Sequence, residues 1–416
     1  MKLDPKLCIL CRGRGWCGLP YCPVLARAKA TVKLREIASS KQVEGSTPPA
    51  VFVGRVGYPY VRVAPAAPPV VGDTRLYDLP EAWLRRRLEE ILEYRWSLIM
   101  GVTIANVKKP HEKLLDELRL LAMSSKPVDV ELVLKKPPRP LITFAEHEPP
   151  LGPRSRMEKI KITGNPSIPR PVEKAYDDTD LPALEAVLSL YEKKIPVSYI
   201  QKMFSVGTFG IKKQRRLVPT RWSITAVDSM LCRELVKEIK NYNLLNEIMV
   251  FKYRIHENLF IAILHPSKWS YEWMEAWWPS TSWNPGKEVV VEGDWEGYFG
   301  RTTYPGIGGC YYASMLATLE YLRKIKRQAT AILLREIYPG FNIPIGVWFV
   351  RESVRAMFRT KPVLRTDDIR EVLDLLERET RLGGEKWLSS SVLLKRVMFT
   401  KTLDEFLSFA KLGKSP

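Results

Sequence analysis

Residues 249–265 read Met-Val-Phe-Lys-Tyr-Arg-Ile-His-Glu-Asn-Leu-Phe-Ile-Ala-Ile-Leu-His, and this stretch has the pattern of a β-hairpin. Every second residue of its first half is apolar, so the following side chains are predicted to share one buried strand face: Met249, Phe251, Tyr253 and Ile255. The apolar run at 259–265 predicts the return strand, with the turn at Glu257-Asn258. Because helical patterns lie on both sides of this hairpin, the sequence predicts an α+β fold.

The chain beyond the hairpin is predicted to be a mostly helical C-terminal region. Apolar spacing predicts helices near residues 309–326, 329–337, 352–358, 367–380 and 388–398. An aromatic run separates the hairpin from these helices and consists of Trp269, Tyr271, Trp273, Trp277, Trp278, Trp283 and Trp295. Large aromatic side chains usually fill cores, so packing is the first interpretation and base stacking is the alternative.

Upstream of the hairpin, strand and helix patterns follow one another. Residues 51–54 and 61–63 predict two strands around a turn at 57–60, and residues 80–100 have the spacing of a helix. The many prolines between positions 126 and 171 exclude a helix there. The N-terminal region is therefore predicted to mix strands and helices.

The composition points to an acidic partner. The chain has 416 residues with 65 Lys and Arg against 46 Asp and Glu, and its formal net charge is +19. Nucleic acid is the commonest acidic partner of a cytosolic protein, whereas a basic or thermophilic surface without a specific partner is the alternative. No apolar stretch of about 18 residues occurs and no apolar leader opens the sequence, so we expect no membrane span and a cytoplasmic protein.

Four of the six cysteines lie close together near the start, at Cys8, Cys11, Cys17 and Cys22. Four thiolates in a short glycine-containing loop fit a tetrahedral, structural zinc site. An iron–sulfur cluster also takes four cysteines, and a pair of disulfides is the third interpretation. Because thiols stay reduced in the cytosol, zinc is the prediction carried forward.

The best basic patch is the segment Arg215-Arg216-Leu217-Val218-Pro219-Thr220-Arg221-Trp222-Ser223. It combines guanidinium groups with an aromatic ring and hydroxyls, which suits phosphate contact together with base stacking. We therefore predict nucleic-acid contacts from Arg215, Arg216, Arg221 and Trp222. A core segment preceded by a charged loop is the alternative interpretation.

No catalytic residue can be assigned from the sequence. Residues 308–310 (Gly-Gly-Cys) lead into a helix, but their spacing matches no phosphate-binding motif, and the cysteine is expected to be a buried small residue. Asp177, Asp178 and Asp180 could bind magnesium, although acidic residues before a helix usually cap it. The four histidines are scattered, so no Ser-His-Asp or Cys-His set can be defended.

The end of the chain has an apolar pattern with two interpretations. A turn of 3₁₀ helix would put Leu403, Phe406 and Leu407 on one side, as a plug for a hydrophobic pocket on a partner. A last amphipathic helix that packs on the protein's own core fits the same spacing. The spacing of the apolar residues alone supports the two interpretations equally.

Four stretches together resemble a known family. They are the cysteine-rich N-terminus, residues 48–54 (Pro-Pro-Ala-Val-Phe-Val-Gly) with 57–59, residues 217–225, and residues 308–313 (Gly-Gly-Cys-Tyr-Tyr-Ala). In these motifs the chain is similar to the archaeal Nre DNA repair proteins, NreA type, over nearly its whole length. The resemblance implies a role in DNA damage repair, a zinc finger at Cys8, Cys11, Cys17 and Cys22, and a C-terminal peptide that binds the sliding clamp PCNA.

The clamp peptide that the resemblance implies corresponds to Thr400, Leu403, Phe406 and Leu407 in this sequence. Two of these positions depart from the family pattern. Thr400 stands in place of glutamine, and Leu407 replaces a second aromatic residue. Both changes are expected to weaken clamp binding, while the apolar plug is kept.

The sequence is thus interpreted as a DNA repair protein that binds DNA and PCNA, contains structural zinc, and lies in the cytoplasm at the nucleoid. Four regions are expected: a C4 zinc finger (1–25), an N-terminal α+β domain (26–295), a C-terminal helical domain (296–398) and a clamp-binding tail (399–416). One alternative is an enzyme acting on DNA or on a nucleotide such as NAD (a nuclease or an ADP-ribosyl transferase), with a site joining residues 215–225 and 305–310. The other alternative is an RNA-associated zinc protein.

Overall fold

The computed structural model describes positions 11 and 22 and residues 40–108, 113–138, 152–279, 281, 284, 286–341 and 345–399. These residues form two compact units. The first takes its described residues from Met1–Glu234, Ser280–Pro285 and Pro339–Glu352, and the second from Leu235–Pro279, Gly286–Tyr338 and Ser353–Pro416. Each unit contains one six-stranded sheet with parallel and antiparallel pairs, so the predicted α+β class is confirmed.

The first unit is built on a sheet with the strand order β1-β5-β6-β4-β3-β2. The strands are β1 (Gln42–Thr47), β2 (Ala50–Val53), β3 (Tyr60–Ala67), β4 (Ile99–Asn106), β5 (Val128–Leu134) and β6 (Arg154–Ile162). Strands β4 and β6 are parallel, whereas the other neighbours are antiparallel. The two strands predicted around the turn at 57–60 are confirmed as β2 and β3.

One face of this sheet covers the main core of the unit. Val61 and Val63 of β3 and Leu132 of β5 point to this face and are fully buried, and Leu115 and Leu118 of a helix pack in the same cluster. Side chains alternate between the two faces of a strand, so the even-numbered positions of β3 point to the opposite face. We call that opposite side the outer face.

The second unit is built on a sheet with the strand order β10-β9-β11-β8-β7-β12. The strands are β7 (Ile248–Ile255), β8 (Asn258–His265), β9 (Ser270–Trp277), β10 (Val290–Glu296), β11 (Thr330–Ile337) and β12 (Leu364–Thr366). The predicted hairpin is confirmed, because β7 and β8 are antiparallel neighbours. The prediction of a single buried face is wrong, since Met249, Val250 and Phe251 are all buried.

Residues 330–337 form the central strand β11, so the predicted helix at 329–337 is wrong. Strand β11 pairs with β8 in the antiparallel sense and with β9 in the parallel sense, and all its residues are buried. A short apolar run has no periodicity that separates a buried strand from a buried helix. The two partner strands, which come from elsewhere in the chain, decide its conformation.

The described residues contain eleven α-helices. They are α1 (Leu88–Ser97), α2 (Lys113–Ala122), α3 (Arg170–Asp177), α4 (Ala183–Glu192), α5 (Val197–Ser205), α6 (Thr220–Ile239), α7 (Gly309–Ile325), α8 (Trp348–Met357), α9 (Ile369–Glu379), α10 (Gly384–Ser390) and α11 (Val392–Phe399). The helix predicted over 80–100 is shorter than expected, because the chain enters β4 at Ile99.

The aromatic run after the hairpin packs inside the second unit. Trp269, Tyr271 and Trp273 are fully buried, in or just before β9, so the packing interpretation is confirmed for these three. The strands of this unit come from both sides of the predicted domain boundary between residues 295 and 296. That boundary stays a prediction.

Candidate nucleic-acid interface

The outer face of the first sheet carries exposed aromatic and basic side chains. In β3, Tyr60 and Arg62 share this face with Ala64 and Ala66, because side chains two residues apart point the same way. Arg62 lies opposite Ile104 of β4. Tyr60 is 60% exposed and Ile104 is 67% exposed. An aromatic ring, a guanidinium and an apolar side chain therefore lie together on an open sheet surface.

Strand β6 adds two arginines to the same face. Arg154 lies beside Met100 and Arg156 lies beside Val102 in the β4–β6 pair. Met100 belongs to the small apolar cluster on the outer face, and Val102 packs against that cluster. Both arginines are exposed. We define the basic sheet face as the surface of Tyr60, Arg62, Ile104, Arg154 and Arg156.

Tyr58 and Trp222 form an exposed aromatic pair. Tyr58 lies in the loop between β2 and β3, and Trp222 lies in the first turn of α6. Their ring centroids are 5.6 Å apart with an interplanar angle of 48°, and nearly half of each side chain is exposed. Arg55 and Arg221, which are close to them in sequence, are exposed as well. Open rings can stack on bases while nearby arginines contact phosphates.

A hydrogen bond before the loop and a tight turn within it fix the loop that carries Tyr58. At the end of β2, the backbone nitrogen of Val53 donates a hydrogen bond to Thr220 Oγ1 at 2.9 Å. Gly57 has a φ of +89°, and a Cβ at this position would lie 2.7 Å from the carbonyl oxygen of Tyr60. Only glycine fits this turn, which explains why the motif at residues 57–59 begins with glycine. The motif segments 48–54 and 217–225 therefore meet at one place.

Arg215 was predicted to contact phosphate, but its side chain is buried inside the first unit. Its Nε donates to the carbonyl oxygen of Gly210 at 2.8 Å, and its Nη2 donates to those of Tyr176 and Asp178 at 2.7 and 3.0 Å. The guanidinium also lies 5.2 Å from the ring centroid of Tyr176. Burial lowers the pKa of Arg215 from its ordinary value. The side chain thus stabilises the segment before α6.

The other predicted contact residues are accessible. Arg216 is exposed on the segment before α6, while Arg221 and Trp222 are exposed at the start of that helix. Sequence reasoning missed the basic sheet face. The alternation Tyr60-Val61-Arg62-Val63 contained a signal for Arg62, but only the strand register places Arg154 and Arg156 on the same face.

The glycine-rich loop before α7 belongs to the second unit, whereas residues 215–225 belong to the first. Gly306 donates its backbone N–H to Asp294 Oδ2 at 2.7 Å, and Arg301 forms an ion pair with Asp294 at 2.8 Å. Burial and the neighbouring Glu275 raise the pKa of the Cys310 thiol. That thiol therefore stays protonated near neutral pH, which is the behaviour expected of a structural cysteine.

The predicted metal ligands lie mostly outside the described residues. Cys11 is buried and Cys22 is half-buried, while Cys8 and Cys17 are outside the described ranges. Four thiolates remain a chemically suitable donor set for zinc. Within the described ranges, no three His, Cys, Asp or Glu side chains are grouped closely enough to hold a metal ion. Asp178 Oδ1 accepts the backbone N–H groups of Asp180 and Leu181 and so closes a turn between α3 and α4, whereas the first turn of α4 has no side-chain cap.

The predicted clamp-binding residues Thr400, Leu403, Phe406 and Leu407 also lie outside the described residues. The interpretation of the tail as a plug or as a docked helix therefore stays a prediction. Across the part of the chain that the structure describes, we find no helix with the length and apolar character needed to cross a membrane.

The fold and the surface together define an α+β protein with an open aromatic and basic sheet face. The family model "Archaeal Nre, N-terminal" matches residues 16–284, and "Archaeal Nre, C-terminal" matches residues 296–406. The chain belongs to the archaeal Nre family.

Named relatives support this assignment. The chain is 47% identical over 400 residues to DNA repair protein NreB of Archaeoglobus fulgidus, an alignment that covers 96% of this chain and 100% of the relative. It is 37% identical to DNA repair protein NreA of the same organism, with 85% of this chain and 89% of the relative covered. It is 34% identical to DNA repair protein NreA of Haloferax volcanii, with 78% and 80% covered. No solved structure matches the chain.

Proposed function

We propose that this chain is a DNA repair protein that binds DNA through the basic sheet face and the Tyr58–Trp222 pair. The observation that carries the proposal is the placement of three exposed arginines, Arg62, Arg154 and Arg156, on one sheet face. The repair role comes from the printed names of the relatives, all of which are DNA repair proteins.

The arginines and the aromatic pair of this surface would have different roles in binding. Guanidinium groups neutralise phosphates and hold the strand without reading its sequence. The rings of Tyr58 and Trp222 stack on bases, and each such stack contributes about 1–3 kcal/mol. The formal charge of +19 adds a general attraction for nucleic acid. Such a surface suits recognition of damaged or unpaired DNA by shape more than by sequence.

The two ends of the chain complete the proposal. Cys8, Cys11, Cys17 and Cys22 would hold a structural zinc ion with a closed coordination shell. Thr400, Leu403, Phe406 and Leu407 would bind the sliding clamp PCNA and keep the body near replicating DNA in the cytoplasm, at the nucleoid. A tether of this kind raises the local concentration of the tethered protein at its target.

The test is a salt titration of DNA binding with the triple variant Arg62→Ala, Arg154→Ala, Arg156→Ala. If each arginine contacts one phosphate, the slope of log affinity against log salt should fall by about 2–3. The matched control is Arg85→Ala, Arg86→Ala, Arg87→Ala, which removes three exposed arginines outside the basic sheet face. Fluorescence anisotropy measures both variants on the same oligonucleotide.

The variant Trp222→Ala tests the contribution of ring stacking to DNA binding separately from the contribution of charge. It should weaken binding by about 1–3 kcal/mol while leaving the salt slope unchanged. An equal loss in the arginine triple variant and its control would contradict the proposed surface. Tighter binding of structured RNA than of DNA at matched salt would favour the RNA-associated alternative.

A further inference from the structure

A closed β-turn in the second unit carries two aromatic residues at its tip. Residues 297–300 (Gly-Tyr-Phe-Gly) follow β10, and the backbone nitrogen of Gly300 donates a hydrogen bond to the carbonyl oxygen of Gly297 at 2.9 Å. Tyr298 and Phe299 are therefore the two central residues of the turn. Gly300 has a φ of +79°, which glycine adopts at no steric cost. We call residues 297–300 the aromatic turn.

The aromatic turn presents an open ring to solvent. Phe299 is 97% exposed, more than any other large apolar side chain that the structure describes. Its ring meets the ring of Tyr298 edge to face, with centroids 5.5 Å apart. Trp295, near the end of β10, is 42% exposed, and its ring lies beside Gly297. A cluster of exposed rings, unlike a single exposed apolar residue, marks a site of contact with a partner.

An ion pair holds the base of the aromatic turn. Arg301 Nη1 lies 2.8 Å from Asp294 Oδ1, and Arg301 Nη2 donates to Asp294 Oδ2 at 2.9 Å. Arg301 Nε also donates to the carbonyl oxygen of Thr303 at 2.9 Å. The rings are thus presented by a backbone that is already fixed, so a partner that binds there loses little affinity to ordering of the turn.

Two lysines approach the ring of Tyr298. Lys240 Nζ lies 4.4 Å from the ring centroid, and Lys268 Nζ lies 5.9 Å from it. Within the part of the chain that the structure describes, neither lysine forms an ion pair. Glu292, an exposed acidic residue of β10, lies five positions before Gly297, about 16 Å away along an extended strand.

Two carboxylates lie closer to the aromatic turn. Asp294 is paired with Arg301. Glu296 is 6% exposed, and both Arg301 and Lys240 act on it electrostatically. Three cations, Arg301, Lys240 and Lys268, therefore stand against two carboxylates. The exposed Lys268 gives this end of the unit a positive charge beside the open rings.

We infer that the aromatic turn is a second contact with DNA, in which Phe299 stacks on an unpaired base and Lys240 and Lys268 contact the adjacent phosphates. This inference deepens the proposed function and rests on it, since DNA is the ligand. Aromatic rings beside cations bind single-stranded nucleic acid with little regard to sequence. An anchor in a membrane surface needs a broad apolar face, whereas one ring is exposed at the tip of this turn.

The test measures binding of the full chain to a single-stranded oligonucleotide that contains one 2-aminopurine, whose emission is quenched by stacking. Phe299→Ala removes the ring, and Phe299→Trp keeps a ring at the same position. Lys240→Met with Lys268→Met removes both cations. Lys361→Met with Lys386→Met is the matched control, because both lysines are exposed in the same unit and neither contacts a ring of the aromatic turn.

Phe299→Ala should weaken binding roughly tenfold and remove the quenching, with the salt slope unchanged, whereas Phe299→Trp should keep affinity and quenching. The variant of Lys240 and Lys268 should lower the slope of log affinity against log salt by about 1–1.5, since each single-strand phosphate contact contributes about 0.7. Unchanged affinity in Phe299→Ala overturns the inference, and so does an equal slope in the lysine variant and its control. Loss of binding to phosphatidylserine vesicles in Phe299→Ala, with unchanged DNA affinity, overturns it in favour of a membrane surface.

Different residues test the proposed function, so the two can fail separately. If the triple variant of Arg62, Arg154 and Arg156 binds DNA like wild type while Phe299→Ala does not, the basic sheet face fails and the aromatic turn stands. If only the arginine variant loses affinity, the aromatic turn fails and the basic sheet face stands.

Discussion

Arg351 Nη1 lies 2.9 Å from both carboxylate oxygens of Asp228, and both side chains are almost completely buried. Gln201 Nε2 also donates to Asp228 Oδ1 at 2.8 Å. This network joins α5, α6 and the start of α8 in the first unit. It also holds Arg351 in the wall of a cavity inside the first unit.

Asp228→Asn should lower the free energy of unfolding by roughly 3–5 kcal/mol, because it leaves a buried guanidinium without its principal carboxylate. Adding Arg351→Met should recover part of this loss, since no buried charge then remains. The control Glu90→Gln removes the shared partner of Arg86 and Arg87 in two partly exposed ion pairs and should cost less than about 1 kcal/mol. Urea unfolding measures all of these variants, and similar losses for the buried and exposed pairs would contradict the assignment.

Asp294→Asn should destabilise the second unit near neutral pH. Burial alone would raise the pKa of Asp294, but hydrogen bonds from Arg301 and from the backbone of Gly306 and Trp295 outweigh it, so the pKa lies below its ordinary value of 3.8. A carboxyl with a lowered pKa stabilises the fold above its unfolded pKa, and this contribution disappears as the pH falls through the folded pKa.

The difference between wild type and Asp294→Asn should therefore be about 1–3 kcal/mol near pH 7 and should shrink below pH 3.8. Urea unfolding at several pH values measures it. Asp374→Asn, an exposed position on α9, is the control. A difference that stays constant down to acid pH would show that the charge of Asp294 does not contribute.

Cys8→Ser with Cys11→Ser should abolish metal binding, because two of four sulfur ligands are lost. Elemental analysis of wild type should find about one zinc ion per chain. Cys232→Ser, a buried position in α6, should keep the full metal content. Iron in place of zinc would favour the cluster interpretation, and equal zinc in both variants would refute the proposed ligands.

Deletion of residues 400–416 should abolish binding to PCNA without changing the thermal midpoint of the body. The triple variant Leu403→Ala, Phe406→Ala, Leu407→Ala should have the same effect on clamp binding, since these side chains form the apolar plug. Calorimetry with purified PCNA measures affinity, and differential scanning calorimetry measures stability. A deletion that unfolds the protein would support the docked helix instead.

The success of a sequence-based prediction depended on whether its signal was local. The hairpin at 248–265 was predictable because its two apolar runs and the turn between them lie within one short stretch, although the predicted alternation of burial along β7 was wrong. Strand β11 was not, because an apolar run takes its conformation from β8 and β9. Arg215 looked like an exposed cation in its segment, yet carbonyl groups of Gly210, Tyr176 and Asp178 bury it.

The sequence by itself determined the α+β class, the charge excess, the spacing of the four thiols and the apolar tail pattern. These features depend on residue types and on short separations along the chain. Only the tertiary structure decided which arginines are exposed together, and that Val53 meets Thr220 across 167 positions. Strand register and burial depend on contacts between distant residues, and no local pattern contains them.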